Sequence, residues 1–247
     1  MKGKFLIGTA LFAGLVGLQS AAWAGPSIVL VNDGTAVGSI QNGDKLFSNF
    51  FCHILTSVPI STPLSCAGLA VSPFVDPHTG NLGIEYGGSF SANSLLGAGI
   101  VDVRLTYDVS APSALITDVH MNFDAGFSPT GTGAALNANV TETVFGTNPN
   151  NGQVAQITVS ATNPPPIIVN NAFAVLPSGP YQSLFISKDV LLQAFTNPNA
   201  TIPNGTVLFT TLDQTFSQVV PEPGTITLLG TALLGCAALF RRKLSKR

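Results

Sequence analysis

The amino-acid sequence predicts an all-β fold, an antiparallel β-sandwich or jelly roll. Apolar and polar residues alternate with period two along several central stretches, and successive side chains of a strand point to opposite faces of its sheet. Pro, Gly and Asn cluster between those stretches, as they do in turns, and no stretch has the pattern of an amphipathic helix. About nine or ten short strands joined by such turns are typical of a two-sheet protein.

The clearest alternation falls on residues 101–109 and 115–123. In both stretches we predict that the odd-numbered residues face the core and the even-numbered residues face outward. Three further stretches also alternate with period two, and in these we predict that even-numbered residues face the core. Their predicted core residues are Leu82, Ile84, Tyr86 and Phe90; Leu184, Ile186, Val190 and Leu192; and Leu208, Leu212 and Phe216.

The N-terminal segment, residues 1–24, is typical of a secretory signal peptide. Two lysines precede an uncharged apolar run over residues 5–18, and Ala22 and Ala24 place small side chains where signal peptidase requires them. We predict cleavage before Gly25, after export through the Sec translocon. The alternative is a retained membrane helix, but the run is shorter than the ~20 residues that a spanning helix needs.

The C-terminal end combines an apolar segment, residues 224–240, with a basic tail, residues 241–247. As a helix the segment reaches roughly 25 Å, and a locally thinned bilayer accommodates that length. The basic tail is expected to remain in the cytoplasm, so that the preceding domain lies outside the inner membrane. The alternative is a buried helix of a soluble domain. The basic residues are Arg241, Arg242, Lys243, Lys246 and Arg247.

Val220-Pro221-Glu222-Pro223 stands directly before the apolar segment. Its two prolines hold the chain extended and accessible, which suits a peptide that a processing enzyme reads. A short apolar segment and then an Arg-rich end follow this motif. That order of features resembles the PEP-CTERM sorting signal of Gram-negative bacteria. The resemblance implies cleavage near the motif by exosortase, a membrane-embedded enzyme, and an association with exopolysaccharide and biofilm.

The central region is also similar, in patches, to an uncharacterised group of PEP-CTERM proteins. The similarity lies in Gly43-Asp44-Lys45-Leu46-Phe47-Ser48-Asn49-Phe50 and in residues 107–110, 116–118 and 140–143. It implies a shared β fold and no particular activity. The chain therefore divides into a signal peptide (1–24), one ectodomain (25–218) and a sorting region (219–247).

Charge separates the exported region from the two ends. Between Gly25 and Val220 three basic residues oppose eleven acidic ones, a net charge of about −8. This balance argues against nucleic acid and against acidic polymers as partners. Frequent Val, Ile, Leu and Phe supply a core and argue against disorder.

Cys52 and Cys66 lie in the exported region, where disulfides are permitted. We expect a disulfide between them, stabilising the fold by roughly 3 kcal/mol; two buried thiols are the alternative. The exported region offers no second cysteine pair and no histidine spacing for a zinc site. We therefore expect no metal and no cofactor, although loop oxygens near Asn32-Asp33, or of Asn42 and Asp44, are candidates for calcium.

Catalytic patterns are weak. The chain has no Gly-x-Ser-x-Gly elbow for a nucleophilic triad. Acid pairs for a glycosidase are Asp118 with Asp124 and Asp102 with Asp108, but surface acids on strands are expected without catalysis. The histidines of the exported region fit surface, turn or strand-end positions better than catalytic ones. They are His53, His78 (beside Asp76 in a turn) and His120. We predict no enzyme activity.

Glu142 leaves two interpretations open. It shares its parity with Val140 and Val144, so it is either a buried carboxylate or a sign of a β-bulge that shifts the parity. A buried carboxylate needs a partner. Lys45, Lys188 and Arg104 are the available cations.

The sequence favours a structural or adhesive protein that is processed by exosortase and released toward the envelope or exopolysaccharide. A carbohydrate-binding module is the first alternative. It needs an exposed aromatic platform, for which Tyr86, Tyr107 and Tyr181 are the available Trp or Tyr residues of the exported region. A secreted glycoside hydrolase is the second, and it needs a cleft with two acids about 5–10 Å apart.

Overall fold

A computed structural model describes residues 27–58, 64–88, 90–95, 97–128, 133–147, 150, 152–163, 167–177, 179–199 and 204–219. The predicted signal peptide, the motif at residues 220–223, the apolar segment and the basic tail lie outside these residues. Within the described residues, no helix has the length and apolar character needed to cross a membrane.

The described residues form fifteen strands, of which ten contain at least five residues. The strands are β1 (Ile28–Val29), β2 (Gly34–Thr35), β3 (Ile40–Asn42), β4 (Lys45–Val58), β5 (Leu69–Val75), β6 (Leu82–Gly88), β7 (Ser91–Asn93), β8 (Gly99–Ser110), β9 (Leu115–Ser128), β10 (Ala135–Phe145), β11 (Gln153–Asn163), β12 (Ile167–Val169), β13 (Asn171–Val175), β14 (Ser183–Phe195) and β15 (Thr206–Val219). The long strands reach fourteen residues, which is longer than the sequence predicts.

The strands form two antiparallel sheets that share one core, so the predicted all-β, antiparallel class is confirmed. The seven-stranded sheet has the order β1-β5-β6-β15-β9-β13, with β7 beside β15. The eight-stranded sheet has the order β12-β11-β10-β14-β8-β4-β2, with β3 beside β4. From β6 onward the chain passes repeatedly between the sheets, and its last two strands, β14 and β15, lie inside different sheets.

The period-two pattern decides which faces are buried. In β8, Val101, Val103, Leu105, Tyr107 and Val109 are all buried, as predicted. Each lies on the face that meets the opposite sheet, while the intervening side chains point away from it. Burial of this apolar face is the main stabilising contribution to the sandwich.

The start of β9 departs from the predicted parity. Ile116 is fully buried, whereas Leu115 and Thr117 are partly exposed. From Val119 onward the odd-numbered residues face the core as predicted. The pairing of β9 with β15 shifts register between Ser217 and Gln218, opposite this point. A shift of one residue moves every following side chain to the other face.

Cys52 on β4 and Cys66 in the turn before β5 form a disulfide, as predicted, with their Cα atoms 6.1 Å apart. Both residues are fully buried. The bond links β4 of the eight-stranded sheet to the turn that leads into β5 of the seven-stranded sheet. Asn32 Oδ1 accepts a hydrogen bond from the Cys66 backbone N–H beside this bond.

Candidate functional site

Two neighbouring rows of side chains cross the outer face of the seven-stranded sheet. The antiparallel register of β5, β6, β15, β9 and β13 places directly opposed residues on one face. The first row is Phe74, Gly83, Thr215, His120 and Phe173. The second row is Ser72, Glu85, Asp213, Asn122 and Asn171. The face thus has an aromatic ring at each end of one row and polar groups along the other.

Part of this face forms a groove of about 580 Å³, which we call the outer groove. His120, Asn122 and Asp213 line it, together with the turn that carries Asp76 and His78. In that turn the Asp76 carboxylate accepts hydrogen bonds from the His78 N–H at 2.8 Å and the Thr79 hydroxyl at 2.6 Å. These hydrogen bonds lower the pKa of Asp76. His78 is thus part of a turn, as the sequence predicts.

Phe173 is the most exposed aromatic side chain of this face, at 64% of its surface. Its ring stacks on His120, with centroids 5.6 Å apart and planes inclined by 20°. His120 Nε2 lies 3.0 Å from Asp118 Oδ1, which also accepts the Ser217 N–H at 3.1 Å. Asp118 therefore holds the imidazole in place, and the imidazole supports the exposed ring.

Asp213, an acid of the outer groove, has a raised pKa. Partial burial is the largest cause that raises its pKa to about 6, and the nearby Glu85 and Asp76 act in the same direction. A hydrogen bond from Asn122, at 3.3 Å, opposes the rise. Asp213 and Glu85 face each other on adjacent strands. The pair was not predicted from the sequence, since the register of β6 with β15 alone brings the two acids together.

This pKa gives the protein a pH-dependent stability. Because folded Asp213 keeps its proton up to about pH 6, and an ordinary Asp loses it near 3.8, the folded state binds more protons between these values. The free energy of unfolding should therefore fall as the pH rises from about 4 to about 6. Asp213→Asn should reduce this fall in thermal melts across that range. Asp124→Asn, at an exposed site on the same sheet, is the control; equal slopes in both variants would contradict the assignment.

The outer face of the eight-stranded sheet carries a second groove, of about 470 Å³. Its lining includes Arg104 and Asp189, and the ring pair Phe145–Phe185, with centroids 6.0 Å apart. At this face, burial and the adjacent Asp189 raise the pKa of Asp102 to about 6, against the effect of Arg104. Asp102 and Asp189 are diagonal neighbours on β8 and β14, since Asp189 is directly opposed to Arg104, and the sequence analysis missed this pair of acids.

The acid pairs predicted for a glycosidase do not form a catalytic geometry. Asp118 and Asp124 lie on β9, and Asp102 and Asp108 on β8, six residues apart in each case. Six residues of extended strand span about 20 Å, whereas glycosidase carboxylates lie roughly 5–9.5 Å apart. Each predicted pair is therefore too widely separated to act on one glycosidic bond.

The interior between the sheets contains a buried polar centre made of Glu142, Lys188 and Gln214. Glu142 on β10 and Lys188 on β14 are directly opposed, and both are fully buried. Gln214 reaches them from β15 in the other sheet. The Lys188 ammonium donates hydrogen bonds to Glu142 Oε2 and Gln214 Oε1. Of the two interpretations of Glu142, the buried carboxylate is correct, with Lys188 as its partner.

Burial dominates the electrostatics of this centre. It raises the pKa of Glu142, against the effects of Lys188 and Gln214, and lowers the pKa of Lys188, against the effect of Glu142. Both shifts favour the neutral forms, a carboxylic acid and a free amine. Glu142 Oε1 and Gln214 Nε2 make no hydrogen bond with the described residues, nor do the buried hydroxyls of Tyr86 and Tyr107.

Several other predicted residues have structural roles. Tyr86 and Tyr107 are fully buried and so form no platform, and Tyr181 is partly buried. His53 lies within β4 and pairs with Asp33, rather than at a strand end.

The residues considered for calcium serve local contacts. Asn42 is buried and its Nδ2 donates to the Phe74 and Gly83 carbonyls at 2.7 and 2.8 Å, while its Oδ1 makes no hydrogen bond with the described residues. Asp44 Oδ1 lies 3.3 Å from the Lys45 ammonium. In the described part of the chain, no three His, Cys, Asp or Glu residues cluster as a metal site would require.

The described residues define a two-sheet β-protein with a polar outer groove and a buried polar centre. Residues 219–243 match the family model of the PEP-CTERM protein-sorting motif, so the chain is a protein that carries this sorting signal. The match confirms the sequence-based resemblance. The motif implies an exported protein with exosortase as its processing partner.

Solved structures give only remote similarities. TmCBM61 in complex with β-1,4-galactotriose is 9% identical with a TM-score of 0.27, covering 66% of this chain and 86% of that one. Endoglucanase 3 of Trichoderma harzianum, from family GH12, is 11% identical with a TM-score of 0.23, covering 68% and 98%. Scores this low carry no functional argument. No curated protein matches the chain.

Proposed function

We propose that this protein is a cell-surface or matrix protein, sorted and cut by exosortase, whose ectodomain has a structural or adhesive, non-enzymatic role in the envelope or exopolysaccharide. The observation that carries the proposal is the sorting motif at residues 219–243. A signal peptide directs the chain outward, and the apolar segment anchors the precursor in the inner membrane. Exosortase then cuts near residues 220–223, which releases the ectodomain.

Replacing Pro221, Glu222 and Pro223 together by Ala should leave a larger, membrane-bound form in the native host, because the substituted stretch is no longer held extended for the enzyme. Immunoblots of membrane and extracellular fractions measure the two forms. The control is Thr225→Ala with Thr227→Ala, which leaves residues 220–223 unchanged and the segment 224–240 apolar. Equal processing of the motif variant and the wild type would refute the sorting proposal.

A second candidate function is the binding of a neutral polysaccharide across the outer face of the seven-stranded sheet, in the outer groove and over the adjacent Phe173. The exposed ring of Phe173, stacked on the groove residue His120, offers an apolar surface to a sugar face. Asn122 and Asp213 in the groove, with Glu85 beside Asp213, offer hydrogen-bonding groups to its hydroxyls. The groove volume of about 580 Å³ lies within the range of small-ligand sites. The acidic ectodomain disfavours anionic polymers, so the proposal is restricted to neutral ones.

Affinity electrophoresis of the full chain in detergent, in gels containing a soluble neutral β-glucan or the native host's exopolysaccharide, tests this function. Phe173→Ala should weaken retardation at least about tenfold in affinity, or about 1.4 kcal/mol. Phe195→Ala is the control, since this half-exposed ring ends β14 in the other sheet. If neither polymer retards the wild-type chain, polysaccharide binding is excluded for those polymers while the sorting proposal is unaffected.

A further inference from the structure

The buried polar centre has the composition of a self-modifying site. Its three functional groups are an amine, a carboxamide and a carboxyl group, and the Lys188 nitrogen contacts the other two directly. Lys188 and Glu142 have no exposed side-chain surface, and Gln214 is fully buried as well. No part of the proposed function requires such a group of residues in the core.

We infer that Lys188 and Gln214 form an intramolecular amide (isopeptide) bond that joins the two sheets, with Glu142 transferring the proton. Lys188 lies on β14 of the eight-stranded sheet and Gln214 on β15 of the seven-stranded sheet. The bond therefore crosses the interior of the sandwich. It ties together the last two long strands of the chain.

The chemistry balances without a co-reactant. The Lys188 amine attacks Gln214 Cδ, a new N–C bond forms, and the bond from Cδ to Nε2 breaks. Glu142 donates its proton to the departing Nε2 and takes one from the attacking nitrogen, so it is regenerated. One ammonia molecule leaves, and nothing is oxidised or reduced.

The surroundings supply the protonation states that the reaction needs. Attack requires a neutral amine, and burial lowers the pKa of Lys188. Proton donation requires a protonated carboxyl group, and burial raises the pKa of Glu142. Gln214 Nε2 and Glu142 Oε1 have no hydrogen-bond partner among the described residues, so the leaving group and a carboxyl oxygen are both uncommitted. Met121 Sδ, 3.5 Å from the Lys188 nitrogen, adds an apolar wall.

The Lys45 site provides an internal comparison. Its ammonium also contacts a glutamine, Gln218, and lies 3.3 Å from the carboxylate of Asp44. However, the Asp44 side chain retains 22% of its exposure, so water can reach its acid. We expect Lys45 to remain a free amine and to be cut normally by trypsin.

Peptide mass spectrometry of the full chain from the native host tests the inference. After Arg104 the next tryptic sites are Lys188 and Arg241, and trypsin does not cut after an acylated lysine. The expected result is an uncut peptide that contains Lys188, lighter by one ammonia molecule, with a second protease locating the link to Gln214. Glu142→Gln should restore cleavage after Lys188, and its peptides should show no loss of ammonia. Cleavage after Lys45 in the same sample is the control for complete digestion.

Three results would overturn the inference. Complete tryptic cleavage after Lys188 in the folded wild-type protein would show a free amine. A mass deficit of one water molecule between Lys188 and Glu142 would show a different bond. A link that persists in Glu142→Gln would exclude the assigned proton transfer. Because the first two readouts use the wild type alone, they do not depend on the folding of any variant.

Discussion

Replacing Glu142 by Leu should lower the free energy of unfolding by about 3–5 kcal/mol, because it leaves the buried Lys188 nitrogen without its carboxyl partner and prevents the Lys188–Gln214 bond. Both side chains are fully buried, so no water replaces the lost partner. Denaturant unfolding monitored by circular dichroism, with the midpoint and slope compared with the wild type, measures the change.

The double variant Glu142→Leu with Lys188→Met is the matched control. Apolar replacements of a buried ion pair are often neutral or stabilising, so the double variant should be clearly more stable than Glu142→Leu alone. The two variants equally lack the Lys188–Gln214 bond, and their difference therefore reports the cost of the unpaired, buried Lys188 nitrogen. If the single variant is as stable as the double, that nitrogen is not left unpaired in the core.

Replacing Gly83 by Ala should destabilise the fold by more than about 3 kcal/mol, at the upper end of overpacking effects. A Cβ atom at Gly83 would lie 1.7 Å from the backbone oxygen of Gln214. This neighbour is main chain of a central strand, β15, and cannot move aside as a flexible side chain would. Gly83 also lies between Phe74 and Thr215 in the first row of the outer face, so displacement of β15 should disturb that surface as well.

Gly87→Ala is the control for this prediction. Gly87 lies on the same strand, β6, and an added Cβ there meets no heavy atom within 4 Å. Thermal melts should therefore separate the two variants by many degrees, with Gly87→Ala close to the wild type. Equal melting temperatures would show that β6 and β15 do not approach as closely at Gly83 as described.

Much of the architecture is predictable because it depends on local periodicity. The alternation over Val101 to Val109 places the core face of β8 correctly, and burial of alternate residues requires only that one side of a strand meets another layer. The start of β9 could not be predicted in this way. Ile116 is buried because the pairing with β15 shifts by one residue, and the shift depends on a partner about one hundred residues away.

The candidate sites also combine features that the local sequence predicts with features that depend on strand register. That Glu142 falls on a buried parity is visible in the sequence, but the choice of Lys188 over Lys45 or Arg104 is made by the register of β10 with β14. No local sequence pattern predicts that the acids Glu85 and Asp213 face each other across β6 and β15. Phe173 stands in a strand of only five residues, and its exposure follows from the position of β13 at a sheet edge.

The sequence by itself determined the sorting signal, because the motif matched over residues 219–243 is contiguous along the chain and is identified without any tertiary contact. It likewise determined the all-β class, through side-chain alternation along each strand. Only the tertiary structure decided which polar groups meet, in the outer groove and in the core. Those contacts join strands far apart in sequence, and a single residue of register would exchange the buried set for the exposed one.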